Sequence, residues 1–232
     1  EQAIGYFDRS LGLGQYNRQT KADALYWRGE AYYRLNRMEE AKRNFTDYLQ
    51  LTQQTHNEMY ALAHYNLGYI AFHQKDYTQA QNWFRKYISL EKGENKTALA
   101  DAYNRIGDCY LDVRNFDEAK HYYSQAEAMN TPSGDYSFYQ LALVSGLQKD
   151  YSGKITLLNR LAGKYPASPY AISALYEKGR SYVLMDNNQQ AIASFKELLA
   201  KYPESPVSRK AAAEIGSVSY THLRAHETDQ YL

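Results

Sequence analysis

The sequence predicts an all-α fold in which antiparallel helix pairs stack side by side. Three observations predict it. A small residue, a Tyr or Ala three later, then an Ala and an aromatic recur at intervals of 35 to 39 residues. Within each copy apolar residues fall at three-four spacing, the period of a helix, and no segment reads as a strand. Tight turns carrying Asn, Asp or Gly types separate the two halves of each copy: QKD at 74–76, VRN at 113–115, MDNN at 185–188.

The elements follow in chain order. Ala3 and Phe7 read as the second half of an earlier unit, so 1–15 is the second helix of a truncated repeat, with LGLG at 11–14 a loop between helices. Gly29, Tyr32, Ala41 and Phe45 anchor a repeat at about 22–54. Gly68, Ala71, Ala80 and Phe84 anchor one at 61–93, and Gly107, Tyr110, Ala119 and Tyr123 one at 100–132. A weaker copy at 135–167 carries Ala142, Ser145, Lys154 and Leu158. Gly179, Tyr182, Ala191 and Phe195 anchor 170–203, where Ala191, Ile192, Phe195, Leu198 and Leu199 form an apolar stripe. Residues 206–216 begin a further truncated unit. The phrases KYPASP and KYPESP mark the joins. Pro203 cannot continue a helix, Ser205 suits an N-cap, and Pro206 suits the first helical position; Ser168 and Pro169 repeat the pattern. Small residues at the anchors let helix backbones approach closely, and an aromatic fills the gap beside them.

These residues resemble the tetratricopeptide repeat. Asn66-Leu67-Gly68, Tyr77, Ala80 and Phe84 match its signature, and Tyr103, Ile106, Gly107, Tyr110, Phe116, Ala119, Tyr123 and Ala126 match it best. The resemblance spans about 1–216 and implies a right-handed superhelical solenoid. The units at Gly29 and Gly68 are longer than usual in the family, with extra turn residues near QQTHNE and KGENK. The YP-x-SP phrasing looks like the subset found in bacterial cell-envelope proteins, such as outer-membrane assembly lipoproteins and coordinators of the Tol–Pal system. That likeness implies a periplasmic or outer-membrane-associated location; any signal peptide would lie upstream of Glu1.

The tail reads differently. VSYTHLRAHET, Val218 through Thr228, is the mismatch-free translation of a common transposase sequencing adapter, and Tyr231-Leu232 follows from the adapter's next bases. Residues 217–232 are therefore expected to be non-native, on a gene fragment truncated near Gly216. Resequencing the source DNA with another library chemistry tests this; finding the same codons again refutes it. His222 and His226 stand at i, i+4, a spacing that can hold a metal on a helix, but on this reading they form no site.

Composition excludes several functions. Lys plus Arg is 27 against 26 for Asp plus Glu, so there is no global pull toward nucleic acid or an anionic membrane. No apolar run is long enough to span a bilayer, so direct membrane insertion is not expected. Cys109 is the single cysteine and reads as a small packing residue. No phosphate loop, HExxH, CxxC or nucleophile elbow occurs. His64 and His73 on one helix read as partly buried or groove-facing side chains rather than ligands. Asp108 and Asp112 share a helix face without an acid–base partner. No cofactor, metal or catalytic residue is predicted.

Tyrosine is the outlier, at 25. The concave face of such an array is lined by the first helix of each unit. Positions flanking each small anchor there give Tyr26, Glu30, Tyr33, Arg34, Tyr65, Tyr69, Phe72, His73, Asn104, Asp108, Asp112, Tyr139, Tyr176 and Arg180. Tyr offers large contact area and a hydrogen-bonding tip at low entropy cost. Family members that grip a free peptide carboxylate use Lys, Asn and Arg on this face, which the mixed Tyr, Glu and Asp pattern does not match. The expected function is a non-catalytic scaffold binding a peptide or protein through a Tyr-rich groove. The alternative is a structural or self-association module of a larger envelope protein, and the sequence leaves the oligomeric state open.

Overall fold

A computed structural model describes the backbone of residues 1–14, 17–53 and 58–229, with side chains to Tyr220 except Glu58. Part of the QQTHNE turn, the side chains of His222 and His226, and Gln230–Leu232 lie outside the described residues. Twelve helices and no strand occur among the described residues. Contacts divide the chain into two compact units, Glu1–Asn115 and Phe116–Leu232. The first holds α1 (Gln2–Gly12), α2 (Arg18–Arg34), α3 (Met38–Thr52), α4 (Glu58–His73), α5 (Tyr77–Leu90) and α6 (Lys96–Asp112). The second holds α7 (Phe116–Ala128), α8 (Asp135–Leu147), α9 (Tyr151–Lys164), α10 (Ala171–Leu184), α11 (Asn188–Lys201) and α12 (Pro206–Asp229). LGLG is only partly loop, because α1 runs through Gly12.

Within each unit a helix packs on its sequence neighbours, giving hairpins α2/α3, α4/α5, α8/α9 and α10/α11. One local device makes the hairpin turns. Asn36, Lys75, Arg114, Lys149 and Asp186 each adopt a left-handed conformation, with φ of 58°, 59°, 60°, 64° and 54°. The following amide reaches back to close the helix end: Asp76 N donates to Ala71 O at 2.9 Å, and Asp150 N to Ser145 O at 2.9 Å. The same residue then opens the next helix. Asp76 accepts from Gln79 N at 3.1 Å, Asp150 from Gly153 N at 2.8 Å, and Asn187 from Gln190 N at 3.2 Å. Asp76 and Asn187, noted in the turns, are thus N-caps, and the left-handed residue precedes each.

The anchors interlock as the spacing predicts. A Cβ on Gly29 would sit 3.1 Å from the Phe45 ring, and one on Gly68 2.8 Å from the Phe84 ring. Gly179 lies closer still to Phe195. Phe45, Phe84, Phe195 and the alanines Ala41, Ala80 and Ala191 are fully buried. The weaker copy solves the join differently. Lys154 takes the alanine slot of α9, its stem lies against Gly146, and its ammonium pairs with Glu177 of α10. A latch between hairpins thereby stands where the others have a buried alanine, while Ala142 and Leu158 pack in place of the glycine and the aromatic. At the KYP joins, Ser168 Oγ accepts from Tyr170 N at 3.1 Å and Ser205 Oγ from Val207 N at 3.2 Å. Helix α12 starts at Pro206, as expected, and continues through the tail segment to Asp229.

Candidate functional site

In the first unit α2, α4 and α6 are neighbours, and their side chains converge on one face. Tyr65 and Tyr69 lie one turn apart on α4, and both donate to the same oxygen, Oδ2 of Asp101 on α6; the Tyr65 bond is 2.7 Å. Their rings meet edge-on at 5.1 Å. Burial first, then the Asp101 carboxylate, pushes both phenols far above their ordinary range. Arg105 Nε stands 3.6 Å from Asp101 Oδ1, and its Nη1 2.7 Å from Asp108 Oδ2. Its guanidinium lies 5.8 Å from the Phe72 ring centre. Glu30 of α2 accepts from Asn66 at 2.6 Å and lies 3.7 Å from Arg34. Tyr33 is half-buried and its ring is 6.2 Å from exposed His73, which is 6.3 Å from Tyr69. Burial, then Glu30 and Asp101, raises the Tyr33 pKa.

Eight of the predicted residues therefore meet here: Glu30, Tyr33, Arg34, Tyr65, Tyr69, Phe72, His73 and Asp108. Three do not, and two of these belong to the core. Tyr26 is 4% exposed, its ring edge-on to Phe45 at 5.6 Å and Tyr48 at 5.3 Å; Asn104 is 5% exposed. The slot three residues before the small anchor is the inward flank of the first helix. Tyr65 shares that slot and touches Phe84 and Tyr87 in the same way, yet it still reaches Asp101. Exposed Asp112 sits at the end of α6, where its carboxylate takes a hydrogen bond from Tyr77.

In the second unit Tyr139 of α8 stacks on Tyr170 at 4.8 Å. Tyr176 of α10 donates to Glu214 at 3.1 Å, and Arg180 Nη1 lies 3.9 Å from the same oxygen. Burial chiefly raises the pKa of Tyr139 and Tyr176. The slot occupied by Arg34, His73 and Asp112 in the first unit is filled here by Leu147 and Leu184, both exposed. Asp101, Arg105, Tyr170 and Glu214 escaped sequence reasoning. A pair of tyrosines at i, i+4 needing a common acceptor on the next first helix was the available signal for Asp101.

No cluster of three or more His, Cys, Asp or Glu side chains able to hold a metal occurs among the described residues. No described helix is long and apolar enough to cross a membrane. Cys109 is buried, and burial raises its thiol pKa to about 12.

Comparison with known proteins gives the same architecture. Tetratricopeptide-repeat family models match residues 23–51 and 173–205, 58–131, and 104–169. The uncharacterised protein ycf37 of Guillardia theta is 40% identical over 62 residues, which is 27% of this chain and 35% of that protein. The chain thus matches about a third of the length of that relative. Among solved structures, YrrB, described as a TPR protein with an unusual peptide-binding site, superposes with a TM-score of 0.66 at 16% identity. That match covers 89% of this chain and 97% of YrrB. PilW, a type IV pilus biogenesis factor, gives 0.67 at 17% identity, covering 91% and 90%. A signal-transduction ATPase with a tetratricopeptide repeat sensor, from Pyrococcus horikoshii, gives 0.74 at 17% identity, covering 94% of this chain and 37% of that one. At these identities the structures speak to the fold. With the repeated anchors, the interlocked hairpins and family matches along most of its length, the chain belongs to the tetratricopeptide-repeat proteins.

Proposed function

We propose that the chain is a non-catalytic scaffold that binds a peptide or protein partner through the Tyr-rich faces of its first helices. The observation that carries this reading is the set around Asp101. Tyr65 and Tyr69 are fixed by a shared acceptor before any partner arrives, and Tyr33, Phe72 and His73 lie beside them. Rings held in place lose little freedom on binding, which lowers the entropy cost of association. The peptide-binding site named for YrrB belongs to that protein and supports the reading at the level of fold alone. A bacterial envelope location is part of the same proposal, supported by the YP-x-SP phrasing; signal or lipoprotein sequence in the full-length gene tests it.

The test of binding is capture of partners by the wild type and by the Tyr65→Ala/Tyr69→Ala/Tyr176→Ala variant, with circular dichroism and light scattering on both. Loss of a captured protein with helicity and oligomeric state intact supports the groove. Unchanged capture refutes it, and loss of oligomer alone points to a self-association module.

A further inference from the structure

In the second unit α9 and α11 leave a cavity of about 290 Å³ between them. One stripe of α10, Ala171, Ala174, Leu175 and Lys178, floors it, on the opposite flank from Tyr176 and Arg180. Leu158, Asn159 and Ala162 of α9 form one wall, and Glu197 and Lys201 of α11 the other. The small side chains at 162, 171 and 174 keep the groove open.

Lys178 is out of pattern. It stands one residue before the small anchor Gly179, a slot that holds a buried aliphatic in three other repeats: Leu67, Ile106 and Leu141. In the remaining repeat the slot holds Arg28, which has a carboxylate to meet. Arg28 Nη1 lies 2.7 Å from Asp8 Oδ1 of α1, and its Nε donates to Asn44 at 2.7 Å. Asp8 follows Phe7, which fills the aromatic slot of its helix; in α9 that slot is Leu158, and the next residue is Asn159. Asn44 precedes Phe45; the counterpart before Phe195 is Ser194, whose hydroxyl is given to Gln190 O at 2.8 Å. Both side chains that hold Arg28 thus have uncharged counterparts around Lys178. Across the groove, Glu197 is taken by Lys201 at 2.7 Å. Among the described residues no ion pair forms to Lys178. A half-buried lysine on an apolar floor that makes no ion pair of its own offers a ligand carboxylate a partner.

We propose that this groove binds a partner segment in which a Leu- or Phe-sized side chain enters the cavity and an adjacent Glu or Asp carboxylate pairs with Lys178. The occupant is an acidic–apolar stretch of polypeptide, and the site is distinct from the tyrosine faces.

Acetylated, amidated octapeptides with a central Leu-Phe pair flanked by Glu, by Gln or by Lys test this by fluorescence polarisation against the whole chain. The Glu set binds, the Gln set binds at least about tenfold more weakly, and the Lys set does not bind. Lys178→Leu, which installs the aliphatic of the other repeats, weakens Glu-set binding by about tenfold or more, and Lys178→Arg retains it. Asn159→Asp is the sharper variant. It supplies the internal carboxylate that Arg28 has and weakens Glu-set binding by a similar factor without removing a packing atom. Tyr69→Phe leaves this binding unchanged, so failure here and failure of the tyrosine face are told apart. Equal binding of the Glu and Gln sets, which identifies a neutral apolar occupant, overturns the proposal. So does the absence of binding by every set, or wild-type binding by Asn159→Asp.

Discussion

Gly68→Ala is predicted to destabilise the chain, against the intrinsic preference of a helix for alanine. In a helix interior Ala is favoured over Gly by about 1 kcal/mol. At residue 68 the new Cβ would stand 2.8 Å from Cδ1 and Cε1 of Phe84 and 2.9 Å from its Cζ. Relief requires the ring to move by several tenths of an ångström. It is fully buried, with Tyr65 and Tyr69 edge-on at 5.9 Å and 5.4 Å, so it has nowhere to go. Overpacking of this kind costs about 1–3 kcal/mol, and the net loss is about 1 kcal/mol. Gly216 is the matched control, a mid-helix glycine with nothing within 4 Å of its would-be Cβ, where Ala stabilises by about 0.5–1 kcal/mol. Urea unfolding of both variants reads the opposite signs. In a Phe84→Leu background the penalty at 68 shrinks, giving a coupling energy of about 1 kcal/mol. A neutral or stabilising Gly68→Ala, or no coupling to residue 84, refutes the interlock.

Lys75→Gly is expected to stabilise by about 1 kcal/mol, because φ of 59° costs an L side chain strain that glycine lacks; a lower urea midpoint would contradict this. Tyr65 and Tyr69 have folded pKa values raised by burial and by Asp101, so the stability tied to their neutral forms is complete below the unfolded phenol pKa of about 10. That stability is lost as pH rises further, so the melting temperature should fall above that pH while absorbance shows the two phenols ionising late; phenols that all titrate together near their ordinary pKa would exclude it. Lys154→Met should be tolerated within about 1 kcal/mol, whereas Glu177→Ala, which leaves the buried ammonium without its partner, should cost about 1–3 kcal/mol by thermal melting.

Most of the fold was legible because each helix pair is specified locally. Gly29, Gly68 and Gly179 with their aromatics sixteen residues later encode a contact inside one hairpin, and spacing alone finds such contacts. The turns were legible as places but not as mechanism, since the left-handed residue is Asn, Lys, Arg or Asp and carries no common signal. The site was partly legible for a related reason. Position along a helix told which residues lie near the first-helix face, but Tyr26 and Tyr65 share a slot and differ in exposure, because what surrounds them comes from other helices. Asp101 was missed because its role depends on a helix thirty-odd residues away, and Lys178 because its oddity is the absence of a charge at 159.

Asp101 draws both phenolic hydrogens of Tyr65 and Tyr69 inward. On the binding role proposed above, a guest at these two rings meets carbon and ring edges, with both hydroxyl protons already spent, and one that depends on receiving a proton from either phenol must first displace a carboxylate.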